Sequence, residues 1–348
     1  MLTKKQVEEI KEHLERAQNP VFFFDNDPDG MCSFLLLQRY IERGKGVAIR
    51  TFPSLEVGYF RKVEELNADY IFIVDKPIVS QEFFDEVEKQ NIPVVWIDHH
   101  ETSQEIPAFV NYYNPTNNKK KTNEPVTALC YQITNRKQDL WLAVIGCISD
   151  KFIPEFYEEF EKEYPDLSTE NVEVNDAFDI LYNSKIGKVV KILDFGLKDS
   201  ISNVVRMLKF LFGAKSPYEV LDEDNKKISL YTKYNEIDKK YQKVLNKAIN
   251  GFDEGEKFLF FKYGGDLSVS SNLSNELSYL FPGKYIIIAY VNGTKVNISG
   301  RGKDVRKIIL KAIEGFEDAT GGGHEDAVGA KIYEKDLEMF RERVEGLI

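Results

Sequence analysis

This chain of 348 residues is expected to be an α/β protein of two lobes joined by a helical segment. Three features of the sequence carry that expectation. Short apolar runs alternate with helix-length polar segments as far as Asp150, the pattern of βαβ units and a largely parallel sheet. Strand signals then fade between Pro154 and Gly251, where helical periodicity dominates. Beyond Gly251 they return with a hairpin turn and a glycine cluster, as in a smaller α/β lobe. The boundaries read as 1–153, 154–251 and 252–348.

The elements follow in order. MLTKKQVEEIKEHLERAQ is a charged amphipathic helix pattern without the apolar stretch of a signal peptide, so no leader and a cytoplasmic location are expected. VFFF (Val21–Phe24) reads as a buried strand and Met31–Arg43 as a helix. VAIRTF from Val47, a helix near Val57–Leu66 and YIFIV from Tyr70 come next, then a helix at Gln81–Gln90 and VVWI at Val94–Ile97. Two helices fill Ala128 to Asp150. Lys226–Asn250 reads as one long charged connector helix. KFLFFKY (Lys257–Tyr263), KYIIIAYV (Lys284–Val291) and TKVNISG (Thr294–Gly300) are strands, the last two joined at Val291-Asn292-Gly293-Thr294, because Asn-Gly suits the positive φ of a tight hairpin turn. A helix at Lys303–Glu314, a short strand and a final helix complete the lobe.

Composition narrows the function. Hydrophobic residues make up 43% and charged residues 30%, the balance of a soluble globular protein. No apolar run reaches the roughly 18 residues a membrane span needs. Cys32, Cys130 and Cys147 lie far apart in apolar surroundings and suggest buried thiols, not a disulfide framework or zinc knuckle. A net charge of −11 argues against coating nucleic acid by general electrostatics. It permits an enzyme that meets a phosphate chain at one place, with Lys119 to Lys121 and Arg301, Lys303, Arg306 and Lys307 as local basic groups.

The chemistry begins at FDNDPDG, where Asp25, Asp27 and Asp29 directly follow a buried strand. Three carboxylates so close repel one another unless a cation sits among them. Asp is common in turns and at helix N-caps, which explains one or two of the three. Asp75 ends YIFIVD, and Asp98 ends VVWID and runs straight into His99 and His100. Strand carboxyl ends share one edge of a parallel sheet, so these residues converge. Asp150 closes the apolar helix LWLAVIGCISD, a place the helix dipole disfavours for an anion. Of the four histidines only His13 reads as ordinary helix surface. Oxygen donors with imidazole suit Mn²⁺, with Mg²⁺ as the alternative. Asp25, Asp27, Asp29, Asp75, His99 and Asp150 are the expected ligands, with Asp98 bridging or bracing. That number exceeds one ion's needs and points to two ions about 4 Å apart, the arrangement for in-line phosphoryl displacement. His100 is expected to touch the scissile phosphate or move a proton, with Asp98 beside it.

A second site is expected in the last lobe. Gly321, Gly322 and Gly323 permit close backbone approach and can turn amide N–H groups toward an anion. His324 beside them can stack on a base or contact phosphate. Asn297, Ser299 and Arg301 end the preceding hairpin, and Arg301 is a fork-shaped phosphate partner.

FDNDPDG, VDKP (Val74–Pro77), IDHH (Ile97–His100) and CISD (Cys147–Asp150) resemble, in order, the four motifs of the DHH phosphoesterase superfamily. NISGRG and GGGHEDAVGA resemble its associated C-terminal substrate-binding domain. The resemblance covers residues 20–150 and 255–345. It implies a Mn²⁺ site in the first lobe and a second lobe that holds the terminal nucleotide through Arg301 and His324. Asp25, where the nanoRNase and phosphatase branch usually has His, is similar to the RecJ-like branch. The chain's size resembles the compact archaeal RecJ-like nucleases, including the Hef-associated type, which implies 3′→5′ digestion. VDKP departs from the commoner VDxG or VDxA ending, which puts substrate contacts near Lys76 in question.

The expected activity is therefore exonucleolytic hydrolysis at an end of single-stranded DNA or RNA. A phosphodiesterase or phosphatase for short oligonucleotides, nucleoside bisphosphates or cyclic dinucleotides is the alternative. A replication scaffold without catalysis is a third reading, opposed by the complete ligand set. Tyr112, Tyr113 and Tyr263 are candidate base-stacking platforms. Pro154–Gly251 is the expected surface for a helicase or replisome partner, and a homo-oligomer is compatible with the sequence.

Overall fold

A computed structural model describes all residues except 52, 169–175, 223–227 and 253–254, and the side chains of 228 and 229. The chain divides into two units, Met1–Tyr234 and Asn235–Ile348.

In the first unit, β1 (Pro20–Asp25), β2 (Lys45–Ile49), β3 (Ser54–Leu55), β4 (Tyr70–Val74), β5 (Ile78–Val79), β6 (Val94–Ile97) and β7 (Val110–Tyr113) alternate with helices. Five of them form one sheet in the order β2-β1-β4-β6-β7, every pair parallel. Strands β3 and β5 pair separately. Both faces of the large sheet are covered, which is why its strands are continuous apolar runs and not alternating ones. Phe22, Phe24, Phe72 and Val74 pack into one core with the helices Lys4–Arg16, Pro28–Ile41, Val126–Thr134 and Leu140–Ser149. Val21, Phe23, Ile71, Ile73 and Trp96 pack into the other with the helix Gln81–Gln90. Each fully buried side chain of this kind stabilises the fold by about 1.5–3 kcal/mol.

The elements expected from sequence are present with shifted ends. The helix expected over Met31–Arg43 runs Pro28–Ile41, and that expected near Val57–Leu66 is a short 3₁₀ turn, Val57–Tyr59, followed by Arg61–Glu65. Strand β7 lies outside the sequence reading. Among the described residues, helices at Tyr157–Glu163, Ala177–Asn183, Lys185–Leu197, Ile201–Gly213, Tyr218–Leu221 and Ile228–Asn250 follow. Positions 226 and 227 of the expected connector helix lie outside the described residues. Much of the helical stretch joins the first unit's core through Ile186, Val189, Leu193, Leu197, Leu208 and Leu211. Ile201, Val205 and Phe212 remain exposed on one helix of this stretch. Among the described residues no helix is long and apolar enough to cross a membrane.

The second unit contains β8 (Phe258–Gly264), β9 (Tyr285–Asn292), β10 (Lys295–Arg301), β11 (Thr320–His324) and β12 (Ala327–Tyr333). Their order is β11-β12-β10-β9-β8, with only the β8–β9 pair parallel. Asn292 pairs with Lys295, so the turn is centred on Gly293-Thr294, one residue beyond the expected Asn-Gly centre. Gly293 takes the positive φ of +62°. The helix Ser270–Leu280, absent from the sequence reading, packs beside β9 and β10. The helix Val305–Ala312 lies inside the expected Lys303–Glu314 and packs through Val305 and Ile309 against Ile298 and Val328.

Candidate functional site

Strand β1 has β2 on one side and β4 on the other. The chain direction across the sheet therefore reverses at β1, and crevices at strand carboxyl ends beside such a reversal are where ligands bind. Asp25 ends β1. Asp27 is extended and caps the next helix, its carboxylate accepting the Gly30 N–H at 2.9 Å. The cap starts the helix at Pro28, so Asp29 and Gly30 sit in its first turn instead of the loop the sequence suggested. A β-carbon at Gly30 would lie 2.6 Å from the Asp25 carbonyl oxygen, so only glycine allows this approach. Asp29 is buried, and its carboxylate accepts the Val126 and Thr127 N–H groups at 3.0 and 2.8 Å. It thus caps a second helix, Val126–Thr134, whose N-terminal dipole favours an anion.

Asp75 leaves β4 with φ of +58°, a left-handed conformation that short polar Asp tolerates better than most residues. Its Oδ1 lies 3.6 Å from His99 Nε2 and 4.0 Å from His100 Nδ1. Asp150 ends the helix Leu140–Ser149 and brings Oδ2 to 3.9 Å from His99 Nε2. The ligand atoms of Asp29, Asp75 and His99 lie within 4.8 Å of one another, as do those of Asp75, Asp98 and His100. Asp98 is fully buried and accepts the His100 Nδ1–H at 2.8 Å, the His100 backbone N–H at 3.2 Å and the Tyr112 hydroxyl at 3.4 Å. Tyr112 and Tyr113, expected as base platforms, are residues of β7. Tyr112 packs on Trp96 with ring centroids 4.6 Å apart, and Tyr113 is buried.

The electrostatics follow from this crowding. Burial, reinforced by the Asp25 charge, pushes the Asp27 carboxyl up to about 7. Burial together with Asp150 and Asp27 lifts Asp29 well above the usual range. Burial together with Asp29 does the same to Asp75. At His100 burial opposes the charge, but the hydrogen bond and charge of Asp98 outweigh it and raise the imidazole to about 9. Carboxylates held this reluctantly as anions, beside an imidazole, are a donor set that fits a hard divalent cation.

Lys76 was singled out in the sequence only as a departure from a motif. Its side chain is fully buried, with Nζ 2.7 Å from Asp25 Oδ1 and 2.7 Å from the Thr51 carbonyl oxygen. A lysine between a strand-ending Asp and a Pro is the signal that could have found it, since buried lysines are almost always paired.

In the second unit, alternation along β10 puts Asn297, Ser299 and Arg301 on one face and Val296, Ile298 and Gly300 on the other. The first face meets the helix Ser270–Leu280. Arg301 is 9% exposed, its Nε donating to Asn275 Oδ1 at 2.6 Å and its Nη2 to Ser271 Oγ at 3.3 Å, while Ser299 Oγ donates to Ser270 Oγ at 3.1 Å. The sequence reading missed Ser270, Ser271 and Asn275. The Gly321–His324 segment, read as an anion-cradling loop, is the edge strand β11. Arg301 pairs with Ala327 and Ala327 with His324, so Arg301 and His324 share a sheet face two strands, roughly 10 Å, apart. In the next row Gly329 and Gly322 carry no side chain, and nothing lies within 4 Å of a β-carbon built on Gly322.

The family model described as DHH family, N-terminal domain, matches residues 21–148, and that described as the DHHA1 domain matches residues 255–348. The chain belongs to the DHH phosphoesterase superfamily. Its DHH region carries the acidic edge and its DHHA1 region the Arg301 face. RecJ of Thermus thermophilus in complex with Mn²⁺ is similar with a TM-score of 0.71 at 14% identity, over 99% of this chain and 54% of that one. The DHH chain thus spans about half the length of the Thermus protein. An exonuclease RecJ bound to manganese gives 0.67 at 14% identity, over 100% and 94% of the two chains. The DHH domain of a member of the s1p family of ribosomal proteins gives 0.70 at 16%, over 99% and 92%. At these identities the likeness is one of fold. Curated proteins gave no match.

Proposed function

We propose that this DHH phosphoesterase is a divalent-metal-dependent exonuclease that hydrolyses phosphodiester bonds at an end of single-stranded DNA or RNA. One observation carries the reading: Asp29, Asp75 and His99 cluster at the sheet's reversal point, beside a His100 aligned by a buried Asp98. Asp25, Asp27, Asp29, Asp75, His99 and Asp150 are the residues from which a Mn²⁺ centre would be drawn, with Mg²⁺ as the alternative. The bound metal supplies Lewis acidity toward the phosphoryl group and lowers the pKa of water. The chain does the rest. Asp98, acceptor-only as a carboxylate, receives the His100 Nδ1–H and turns Nε2 away from itself. Charged His100 then offers a proton to a phosphoryl or leaving oxygen. Arg301, already oriented by Asn275 and Ser271, grips a phosphate of the terminal nucleotide. His324 and the open position at Gly322 receive its base or sugar, with Asn297 and Ser299 on the same face as Arg301, while Gly321 and Gly323 face the other way, Gly321 onto Leu310 and Ile313.

Digestion of end-labelled single strands, one very short and one of about thirty nucleotides, tests this with Mn²⁺ and with EDTA; a ladder of products is the signature of stepwise release. A Mn²⁺-dependent ladder on the long strand is expected, with the labelled end giving polarity. Cleavage of the short strand alone would replace the reading by that of an oligonucleotide phosphodiesterase. No cleavage of either would leave a scaffold.

A further inference from the structure

Two divalent ions are the sequence-based expectation for this centre. The geometry points to a different arrangement. We propose that Lys76 is a built-in cation that holds Asp25 and takes the place of one ion, so that the centre loads a single Mn²⁺ through Asp29, Asp75, His99 and Asp150. The proposal rests on the metal-dependent reading above.

Three observations carry it. The Lys76 ammonium is fully buried and is held at 2.7 Å by both Asp25 Oδ1 and the Thr51 carbonyl. Its backbone is fixed as well, because the Trp96 indole N–H donates to the Lys76 carbonyl oxygen at 2.9 Å and Pro77 follows. This is a positioned charge, not a surface lysine folded inward. An ion ligated by the same carboxylate oxygen at about 2.1 Å would lie within about 5 Å of that ammonium, where like charges in a poorly hydrated pocket repel strongly. Second, Asp25 is paired with Lys76 and, among the described residues, belongs to none of the groups whose ligand atoms lie within 4.8 Å of one another, whereas Asp150, in none of them either, is tied to the set by its Oδ2 at 3.9 Å from His99 Nε2. Third, the ligand atoms of Asp29, Asp75 and His99 lie within 4.8 Å of one another and Asp150 Oδ2 lies 3.9 Å from His99 Nε2, which makes one compact donor set.

Equilibrium dialysis of the full chain against Mn²⁺, followed by elemental analysis and electron paramagnetic resonance, tests the proposal without an activity assay. The wild type is expected to retain one Mn²⁺ with the six-line spectrum of an isolated ion. Lys76→Met, which removes the charge and keeps the length, is expected to retain two that are spin-coupled. Asp25→Asn, which leaves the Lys76 ammonium in place, is expected to retain one. Two ions in the wild type, one in Lys76→Met, or loss of the ion from Asp25→Asn would each overturn it. Should circular dichroism show Lys76→Met unfolded, the wild type and Asp25→Asn decide alone. No bound Mn²⁺ in the folded wild type would end the metal-dependent reading as well, whereas two ions would end only this inference.

Discussion

The direction of the His100 ring is set by a carboxylate that never leaves the core. Asp98 is fully buried, takes the Nδ1 proton and holds the backbone N–H of the same histidine. Its hydrogen bond and charge raise the imidazole against the cost of burial. Replacing it by Asn keeps an acceptor and removes the charge. Asp98→Asn is expected to lower kcat by about 10²–10⁴-fold, the usual worth of a positioned acid or base, with little change in KM. His100 is useful while protonated, so activity falls as pH rises through its pKa, and the variant's alkaline limb should move toward acid. A pH–rate profile in Mn²⁺ checks both effects, and an unchanged profile would remove His100 from proton transfer. At this scale the acidic residues were legible because their chemistry has few structural explanations. The pairing of Lys76 with Asp25 was not, because a partner fifty-one positions away leaves no local trace.

Between elements, close contact is purchased with small residues. A β-carbon at Gly146 of the helix Leu140–Ser149 would meet Thr127 Oγ1 at 2.1 Å. Thr127 cannot retreat freely, since its backbone N–H and hydroxyl both bond to Asp29. Gly146→Ala is therefore expected to destabilise the fold by about 1–3 kcal/mol through overpacking and to weaken Mn²⁺ binding by shifting Asp29. Urea unfolding with a parallel metal titration measures the two, and a variant as stable as the wild type would show that the helices part without cost. The helix Gln81–Gln90 was legible to the residue because its apolar spacing and caps agree. The helix Ser270–Leu280 was not. SSNLSNELSYL is rich in Ser and Asn, which compete with the helical backbone, and it is held as a helix by burial of Leu273 and Leu277. Strand β7 escaped for a similar reason, since only Val110 and Tyr113 of VNYY are buried. The glycines of β11 read as a loop because strand formation there comes from pairing with β12, not from propensity.

Across the whole molecule the acidic edge links stability to pH and to metal. Asp27 titrates at about 7 in the folded protein, against an ordinary 3.8, and Asp29 and Asp75 are raised as well. Between those values the folded state holds more protons than the unfolded one. Stability of the metal-free protein must then fall as pH rises from about 4 through 7. Thermal melts in EDTA are expected to drop by several degrees from pH 5.5 to 8, and Mn²⁺ should restore more stability at pH 8 than at 5.5. A flat or rising melting temperature in EDTA would contradict this account of the site. The sheet order that places these residues has a consequence for synthesis. From β1 outward through β4 and β6 to β7, position in the sheet follows chain order, so the sheet can grow at one margin as the polypeptide emerges from the ribosome. The strands β1, β4 and β6 deliver Asp25, Asp75 and Asp98 in turn, while Asp150 arrives after all of them. A nascent chain thus carries these carboxyl groups and an open outer strand together before the helix ending at Ser149 is made. Such margins are where incomplete chains associate wrongly.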